Sequence, residues 1–170
     1  NDSITPLMAL GAQVTLRSKE GKRVVQLSEF YEGVRKTVMK PDEVMVAIAF
    51  PVPSEATQTA FYKLGLRKAQ AISVVNAAAL VELSDGKVQM ARITLGSVAP
   101  KIIHATAAED YLIGKDFSDE VIEEAARLAM DAATPIDDIR GSADYRRYMV
   151  EVCVRRSLKR IATGEEREVI

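Results

Sequence analysis

Short stretches in which apolar and polar positions alternate dominate the first third of the chain, and this period of two predicts β-strands. The strands predicted there are Gln13–Ser18, Arg23–Leu27 and Glu43–Phe50. A short helix over Pro6–Leu10, with Thr5 as its N-cap, precedes them. Pro51 and the residues after it then break the pattern and predict a boundary between two parts of the chain.

The rest of the chain reads as a sheet followed by helices. Ser84-Asp85-Gly86 separates two long apolar stretches and predicts a β-hairpin. The strands expected in this part are Thr57–Leu66, Ile72–Leu83 and Lys87–Leu95, and the helices are Thr106–Ile113, one capped by Ser118 and one running from Ser142 to about Ile161. Earlier, Ser28 is expected to cap a single helical turn. The pattern therefore predicts the α+β class.

The most informative stretch is Phe61–Asn76, where an apolar strand meets a basic turn. Its cations are Lys63, Arg67 and Lys68, and the run of small and β-branched residues that follows is typical of a buried strand. A packed core next to three positive charges is suited to form a wall for an anionic ligand. A surface loop with solvated cations explains the same residues, and composition leaves both interpretations open.

Composition narrows the function classes. The 170 residues carry a net charge of −1, with 48% hydrophobic and 28% charged residues, which is ordinary for a globular protein. The charge gives no reason to expect nucleic acid as a partner. No apolar run approaches the roughly 20 residues of a membrane span, and the absence of a leader-like start favours a cytoplasmic protein.

Few residues with metal-binding or nucleophilic chemistry are present. Cys153 is the only cysteine and His104 the only histidine, so an iron–sulfur site, a zinc site and a Ser-His-Asp triad are not expected within this chain. Asp137 and Asp138 are better explained as loop anions near Arg140 than as a catalytic pair. The residues alone supply no self-contained catalytic site.

Several stretches, taken in order, resemble the FAD-carrying medium subunit of molybdenum hydroxylases, the family that includes carbon monoxide, nicotinate and bacterial xanthine dehydrogenases. The stretches in the first part are Asp2–Ala12, Phe30–Thr37 and Pro41-Asp42-Glu43. Those in the second part are Ile72–Ala78, Ala91–Pro100 and Arg140–Arg147. The resemblance covers nearly the whole chain.

The resemblance implies a division at about residues 52–57. Residues 1–52 would be the second part of a mixed α/β FAD-binding domain, residues 57–163 a C-terminal domain with an antiparallel sheet and a helical cap, and residues 164–170 a tail. FAD would receive electrons from [2Fe–2S] clusters on a small subunit, which take them from molybdopterin on a large subunit. The flavin would pass them to NAD or another acceptor.

The same resemblance implies cofactor-binding positions. Asp2, Met45 and Lys63 match positions that contact the flavin in the family, and Arg67 and Ile72 are weaker candidates from the same wall. The glycine-rich segments that hold the pyrophosphate in the family lie upstream of the Asp2 stretch. Because the chain also begins without a methionine, we expect a piece of a longer protein whose upstream FAD-binding segment completes the pocket.

Two other functions remain open on the sequence. One is a non-catalytic scaffold that docks the iron–sulfur and molybdenum subunits without binding flavin itself. The other is a small-molecule-binding domain that uses the cations around Lys63.

Overall fold

The computed structural model describes residues 2–164, which form helices and three antiparallel sheets in an α+β arrangement, as the pattern predicts. The helices are α1 (Ile4–Ala9), α2 (Leu27–Phe30), α3 (Thr106–Leu112), α4 (Asp119–Asp131) and α5 (Ala143–Thr163). The strands are β1 (Gln13–Ser18), β2 (Gly21–Gln26), β3 (Tyr31–Gly33), β4 (Lys36–Thr37), β5 (Val44–Ala49), β6 (Thr57–Gly65), β7 (Ser73–Ser84), β8 (Lys87–Gly96) and β9 (Ile103–His104). The tail predicted over residues 164–170 lies outside the described residues except for Gly164.

The first sheet has the order β2-β1-β5 and packs on α1 and α2. Strand β1 alternates as its sequence predicts, with Val14 and Leu16 fully buried. Their side chains meet Ile4 and Met8 of α1 and Phe30 of α2. This small core packs α1 against the first sheet.

Strand β5 forms one edge of this sheet, and all six of its residues are exposed. Its apolar side chains include Val44, Val46 and Ile48, which are 63%, 53% and 40% exposed. Edge strands usually carry charged residues or proline, because unpaired backbone groups beside apolar side chains invite pairing with another strand. The sequence predicted an apolar strand here, and the structure confirms the strand. Its exposed side chains, however, belong to neither of the two cores formed by residues 2–164.

The larger sheet has the order β6-β7-β8-β9, and the predicted hairpin forms its centre. Asp85 and Gly86 both have positive φ, at 51° and 75°, as a tight hairpin turn between long strands requires. Residues 73–81 of β7 are all buried. Helices α4 and α5 contribute to the core on one face, and α1 contacts β7 and β8 from the other part of the chain.

Helices α3 and α5 contact the larger sheet, and α4 packs against both of them. Helices α4 and α5 begin at the predicted caps. Ser118 accepts a hydrogen bond from the backbone N–H of Val121, and Ser142 accepts one from Tyr145. The predicted stripe of α5, which consists of Val150, Val154, Leu158 and Ile161, is buried, and so are Val152 and Cys153 beside it. Near the end of α5, Arg155 and Lys159 pair with Glu123 of α4, which explains these two cations without a nucleic acid.

The short helices differ from the expectations. Helix α1 begins earlier than predicted, at Ile4, so Thr5 lies inside the helix instead of capping it. Helix α2 begins at Leu27 and not after Ser28, because the buried side chains of Leu27 and Phe30 anchor this turn to the first core. Tertiary packing overrides the local capping preferences at both places.

No helix within residues 2–164 is long and apolar enough to cross a membrane.

Two substitutions in α4 test how this helix packs against the core. Ile122 of α4 is completely buried, whereas Leu128 of the same helix is only partly buried. We expect Ile122→Asp to lower the free energy of unfolding by about 4 kcal/mol or more, because it places an unpaired charge in the core. Leu128→Asp should cost clearly less, because its carboxylate can reach water. Urea denaturation of both variants measures the difference, and equal losses would contradict this packing.

Candidate functional site

The site forms where the first residues of the chain lie over the larger sheet. Lys63 of β6 lies directly opposite Asn76 of β7, and Asn76 lies opposite Gly96 of β8. These three residues make a row across the sheet. Asp2 and the beginning of α1 cover the row, so residues from both parts of the chain meet there.

Asp2 is the centre of the contacts. Its Oδ2 atom lies 2.5 Å from Nζ of Lys63, and its Oδ1 atom accepts hydrogen bonds from Ser73 at 2.6 Å and Asn76 at 3.4 Å. The bond from Lys63, followed by the bond from Ser73, holds the pKa of the Asp2 carboxyl below its usual value. We call Asp2, Lys63, Ser73 and Asn76 the Asp2–Lys63 cluster.

Buried polar side chains connect this cluster to α1. The hydroxyl of Thr5 donates to Oδ1 of Asn76 at 2.6 Å, and the hydroxyl of Thr94 donates to the carbonyl oxygen of Thr5 at 2.8 Å. Thr5 and Thr94 are fully buried. A side chain at Gly96 would collide with Asn76 and Thr5, so the absence of a Cβ there lets α1 approach the sheet.

Lys63 also ties down the loop that follows β6. Its ammonium donates to the carbonyl oxygen of Ala71 at 2.6 Å, so two of its three N–H groups are used within the described residues. Arg67 folds back on the same loop and donates to the carbonyl oxygen of Gln70 at 2.6 Å. The third N–H of Lys63 has no acceptor among residues 2–164.

A shallow cavity of about 230 Å³ lies beside this loop. Its lining combines the cations Arg67 and Arg140 with the apolar residues Leu66, Ala71 and Ile72. Leu66 and Ile72 are each 68% exposed, so both present apolar surface to solvent. Positive charge beside exposed apolar surface is suited to a planar ligand with anionic or carbonyl oxygens.

The structure thus brings together four of the five residues predicted from the sequence. Asp2 and Lys63 touch directly, Lys63 bonds to Ala71 of the loop, and Arg67 and Ile72 line the cavity beside Ala71. Met45 lies elsewhere, on β5 opposite Leu16 in the first sheet, with its side chain partly exposed. No described contact joins Met45 to the Asp2–Lys63 cluster.

The sequence did not predict Ser73, Asn76, Thr5 or Thr94 as residues of the site. A signal was present, because Ser73 and Asn76 interrupt an otherwise apolar strand, and a polar residue in a buried strand needs a partner. Their partners lie about 70 residues away along the chain, so the sequence could not identify them.

Other polar groups have structural explanations. Asp138 pairs with Arg140, as expected, and more closely with the buried Arg146, which holds the pKa of the Asp138 carboxyl below its usual value. His104 bonds to Glu109 at 2.7 Å. Burial raises the pKa of the Cys153 thiol to about 11, which leaves it a poor nucleophile at neutral pH. No group of three or more metal-ligand side chains occurs within residues 2–164.

Comparison with known protein families defines the class of protein. Residues 60–161 match the family described as the CO dehydrogenase flavoprotein C-terminal domain, and residues 1–53 match the FAD binding domain in molybdopterin dehydrogenase. The chain belongs to the first of these families, and the resemblance inferred from its motifs is confirmed.

Individual relatives agree with this membership. The chain is 34% identical to the carbon monoxide dehydrogenase medium chain of Afipia carboxidovorans over 94% of its own length and 55% of that protein. It is 29% identical to the nicotinate dehydrogenase FAD-subunit of Eubacterium barkeri, covering 88% of this chain and 52% of that subunit. The chain therefore spans about half the length of these curated relatives.

The solved structures show the same likeness in three dimensions. The reconstituted CO dehydrogenase from Oligotropha carboxidovorans superposes with a TM-score of 0.91 at 33% identity. The match covers 97% of this chain and 57% of that one. The α+β fold is therefore shared with the matched part of that CO dehydrogenase chain.

The contact between Asp2 and Lys63 predicts that the stability of the fold depends on pH. An aspartate whose pKa in the folded state lies below its unfolded value of about 3.9 stabilises the fold above that value. This stabilisation is lost as the pH falls through the lower, folded pKa. Since the Lys63 hydrogen bond is the largest cause of the lowering, Lys63→Met should raise the pKa of Asp2.

An NMR titration of the Asp2 carboxyl carbon measures this shift. We expect the Asp2 resonance to titrate at a higher pH in Lys63→Met than in the wild type. Lys68→Met is the matched control, because Lys68 is exposed on the same loop. An unchanged titration in Lys63→Met, or an equal shift in both variants, would show that the ion pair is not formed in solution.

Proposed function

We propose that this chain is part of the FAD-containing electron-transfer subunit of a molybdenum hydroxylase. The observation that carries the proposal is the Asp2–Lys63 cluster, which joins the two family regions at one site and presents an ammonium group there. The names of the relatives support it, since they include medium chains and FAD-subunits of dehydrogenases.

The residues at the site fit one wall of a flavin pocket. Lys63 offers a free N–H, Arg67 and Arg140 add positive charge, and the exposed Ile72 adds apolar surface for a ring system. FAD supplies the redox chemistry when it is bound, accepting a pair of electrons and releasing them again. Lys63, Arg67 and Ile72 would hold the ring, and the charge of Lys63 would favour the anionic reduced form over the neutral oxidised form.

These residues form only one wall of the proposed flavin pocket. The nine glycines are scattered singly along the sequence, so the chain contains no glycine-rich loop of the kind that cradles a pyrophosphate. The exposed apolar edge strand β5 is suited to pair with further polypeptide. We propose that sequence corresponding to the rest of the longer relatives covers β5, places Met45 beside the flavin and completes the phosphate site.

A molybdenum hydroxylase of this class would also contain partner subunits. A small subunit with [2Fe–2S] clusters would deliver electrons, and a large subunit with molybdopterin would oxidise the substrate. NAD or another acceptor would remove the electrons from the flavin. Residues 1–52 and 57–163 would act as the two parts of the flavin-binding region in this assembly.

The incomplete pocket predicts weak binding by this chain alone. We expect the 170 residues to bind FAD weakly, while the longer protein that contains them retains one FAD per chain. Titration of FAD monitored by the quenching of its fluorescence measures both affinities. Tight, stoichiometric binding to the 170 residues would contradict an incomplete pocket. Absence of FAD from the longer protein would favour the scaffold alternative.

The charge of Lys63 predicts a change of redox potential. Two unit charges about 4 Å apart interact by about 4 kcal/mol at an effective dielectric constant near 20. Solvent and the neighbouring Asp2 reduce the difference between the two flavin states to about 1–2 kcal/mol. Since about 30 mV corresponds to 1.4 kcal/mol for a two-electron couple, Lys63→Met should lower the flavin midpoint potential by roughly 20–40 mV.

Redox titration of the FAD-loaded longer protein measures this shift. Lys68→Met serves as the control, because it removes a neighbouring positive charge that has no described contact with Asp2. Equal potentials for the wild type and Lys63→Met would identify Lys63 as a cation that does not act on the flavin.

A further inference from the structure

Two polar residues of β7 have no assigned role, although both are buried. Ser73 is 1% exposed and Asn76 is 2% exposed, and β7 is otherwise apolar from residue 74 to residue 81. A buried polar side chain costs stability unless its hydrogen bonds are made, and an apolar residue would suit the core better. Both side chains donate to the same atom, Oδ1 of Asp2.

The carboxylate of Asp2 is consequently held from two sides. Oδ1 faces the sheet and its two donors, whereas Oδ2 faces the ammonium of Lys63. Asp2 precedes α1 and has a side chain that is 38% exposed. Without the two donors of β7, only a long and flexible lysine side chain would hold it in place.

The orientation of Asn76 is itself fixed. Its Oδ1 atom accepts the hydroxyl proton of Thr5, and this directs the Nδ2 donor to the other side, toward Asp2. Thr94 in turn holds the carbonyl oxygen of Thr5. The hydrogen bonds form a continuous series from β8 through α1 and β7 to the carboxylate.

We propose that Ser73 and Asn76 are positioning residues, which fix the carboxylate of Asp2 so that the Asp2–Lys63 pair presents a preorganised surface to the flavin. The proposal rests on the proposed function, because it deepens the role of the same site. Asp2 and Lys63 contact the cofactor, and Ser73 and Asn76 act on it only through Asp2. The effect of Ser73 on the pKa of Asp2, which it lowers, agrees with this division of roles.

A matched pair of serine substitutions tests the proposal in the longer, FAD-binding protein. Ser73→Ala removes one bond to a charged group, and we expect the dissociation constant of FAD to rise about tenfold. Ser157→Ala makes the same chemical change at a buried serine of α5 that bonds to the carbonyl oxygen of Cys153 at 3.0 Å. We expect Ser157→Ala to lower the melting temperature without changing the affinity for FAD.

Repeating Ser73→Ala in a protein that already carries Asp2→Ala separates a positioning role of Ser73 from a general loss of structure. In Asp2→Ala, Ser73→Ala should change the dissociation constant of FAD by less than twofold, because its effect passes through the missing carboxylate. The flavin midpoint potential should move in Ser73→Ala and in Asp2→Ala, and stay at the wild-type value in Ser157→Ala. Asn76→Ala is a second variant of the same kind. Its effect on the dissociation constant of FAD should also fall below twofold when Asp2→Ala is present.

The outcomes distinguish this proposal from the function on which it rests. A tenfold weakening in both backgrounds, or none in either, would overturn the positioning role of Ser73. If Asp2→Ala and Lys63→Met weaken FAD binding but neither Ser73→Ala nor Asn76→Ala does, the positioning role fails and the flavin site stands. If Asp2→Ala and Lys63→Met both leave the affinity and the potential unchanged, the flavin site itself is misplaced.

Discussion

The contact between α1 and the larger sheet is the constraint on which the site depends. The two regions of the chain have separate cores, one around β1 and one around β7, and neither core alone contains the site. Buried hydrogen bonds from Thr5 and Thr94, together with the close approach over Gly96, set the distance between them. Asp2 reaches Lys63 only because this distance is short.

This arrangement explains why hydrogen bonds are found where apolar packing would be more stable. Apolar contacts are non-directional, so they would hold α1 against the sheet without fixing its rotation or its position along the strands. Hydrogen bonds have narrow limits of distance and angle, and a fully satisfied buried network specifies one arrangement. These directional bonds hold the carboxylate of Asp2 at one defined place.

Local features of the fold were readable from the sequence because their causes are local. The turn at Asp85-Gly86 needs two residues that tolerate positive φ, and the caps at Ser118 and Ser142 need a side-chain oxygen before a helix. Thr5 shows where this reasoning fails. Its position before Pro6 favours a cap, but its hydroxyl bonds to Asn76, 71 residues away.

The candidate site was predictable only in part, for a related reason. Lys63 and Arg67 stood out as cations beside a predicted buried strand, whereas Asp2 and Ile72 came from the family resemblance. The structure adds which of these residues touch. Asn76 lies in a stretch that resembles the family, but its role was not predicted, because that role comes from its register opposite Lys63 and Gly96. Strand register across three strands cannot be read from residue types along one of them.

The missing side chain at Gly96 has a consequence for how the sequence can change over evolutionary time. Any residue with a Cβ at this position meets Asn76 and Thr5, so it is compatible with the fold only if the volume at one or both of those positions decreases. Positions 5, 76 and 96 are therefore coupled by space, although they lie in three different elements. A single substitution at position 96 would push α1 away from the sheet, whereas a compensated set of substitutions could preserve the spacing between the two regions.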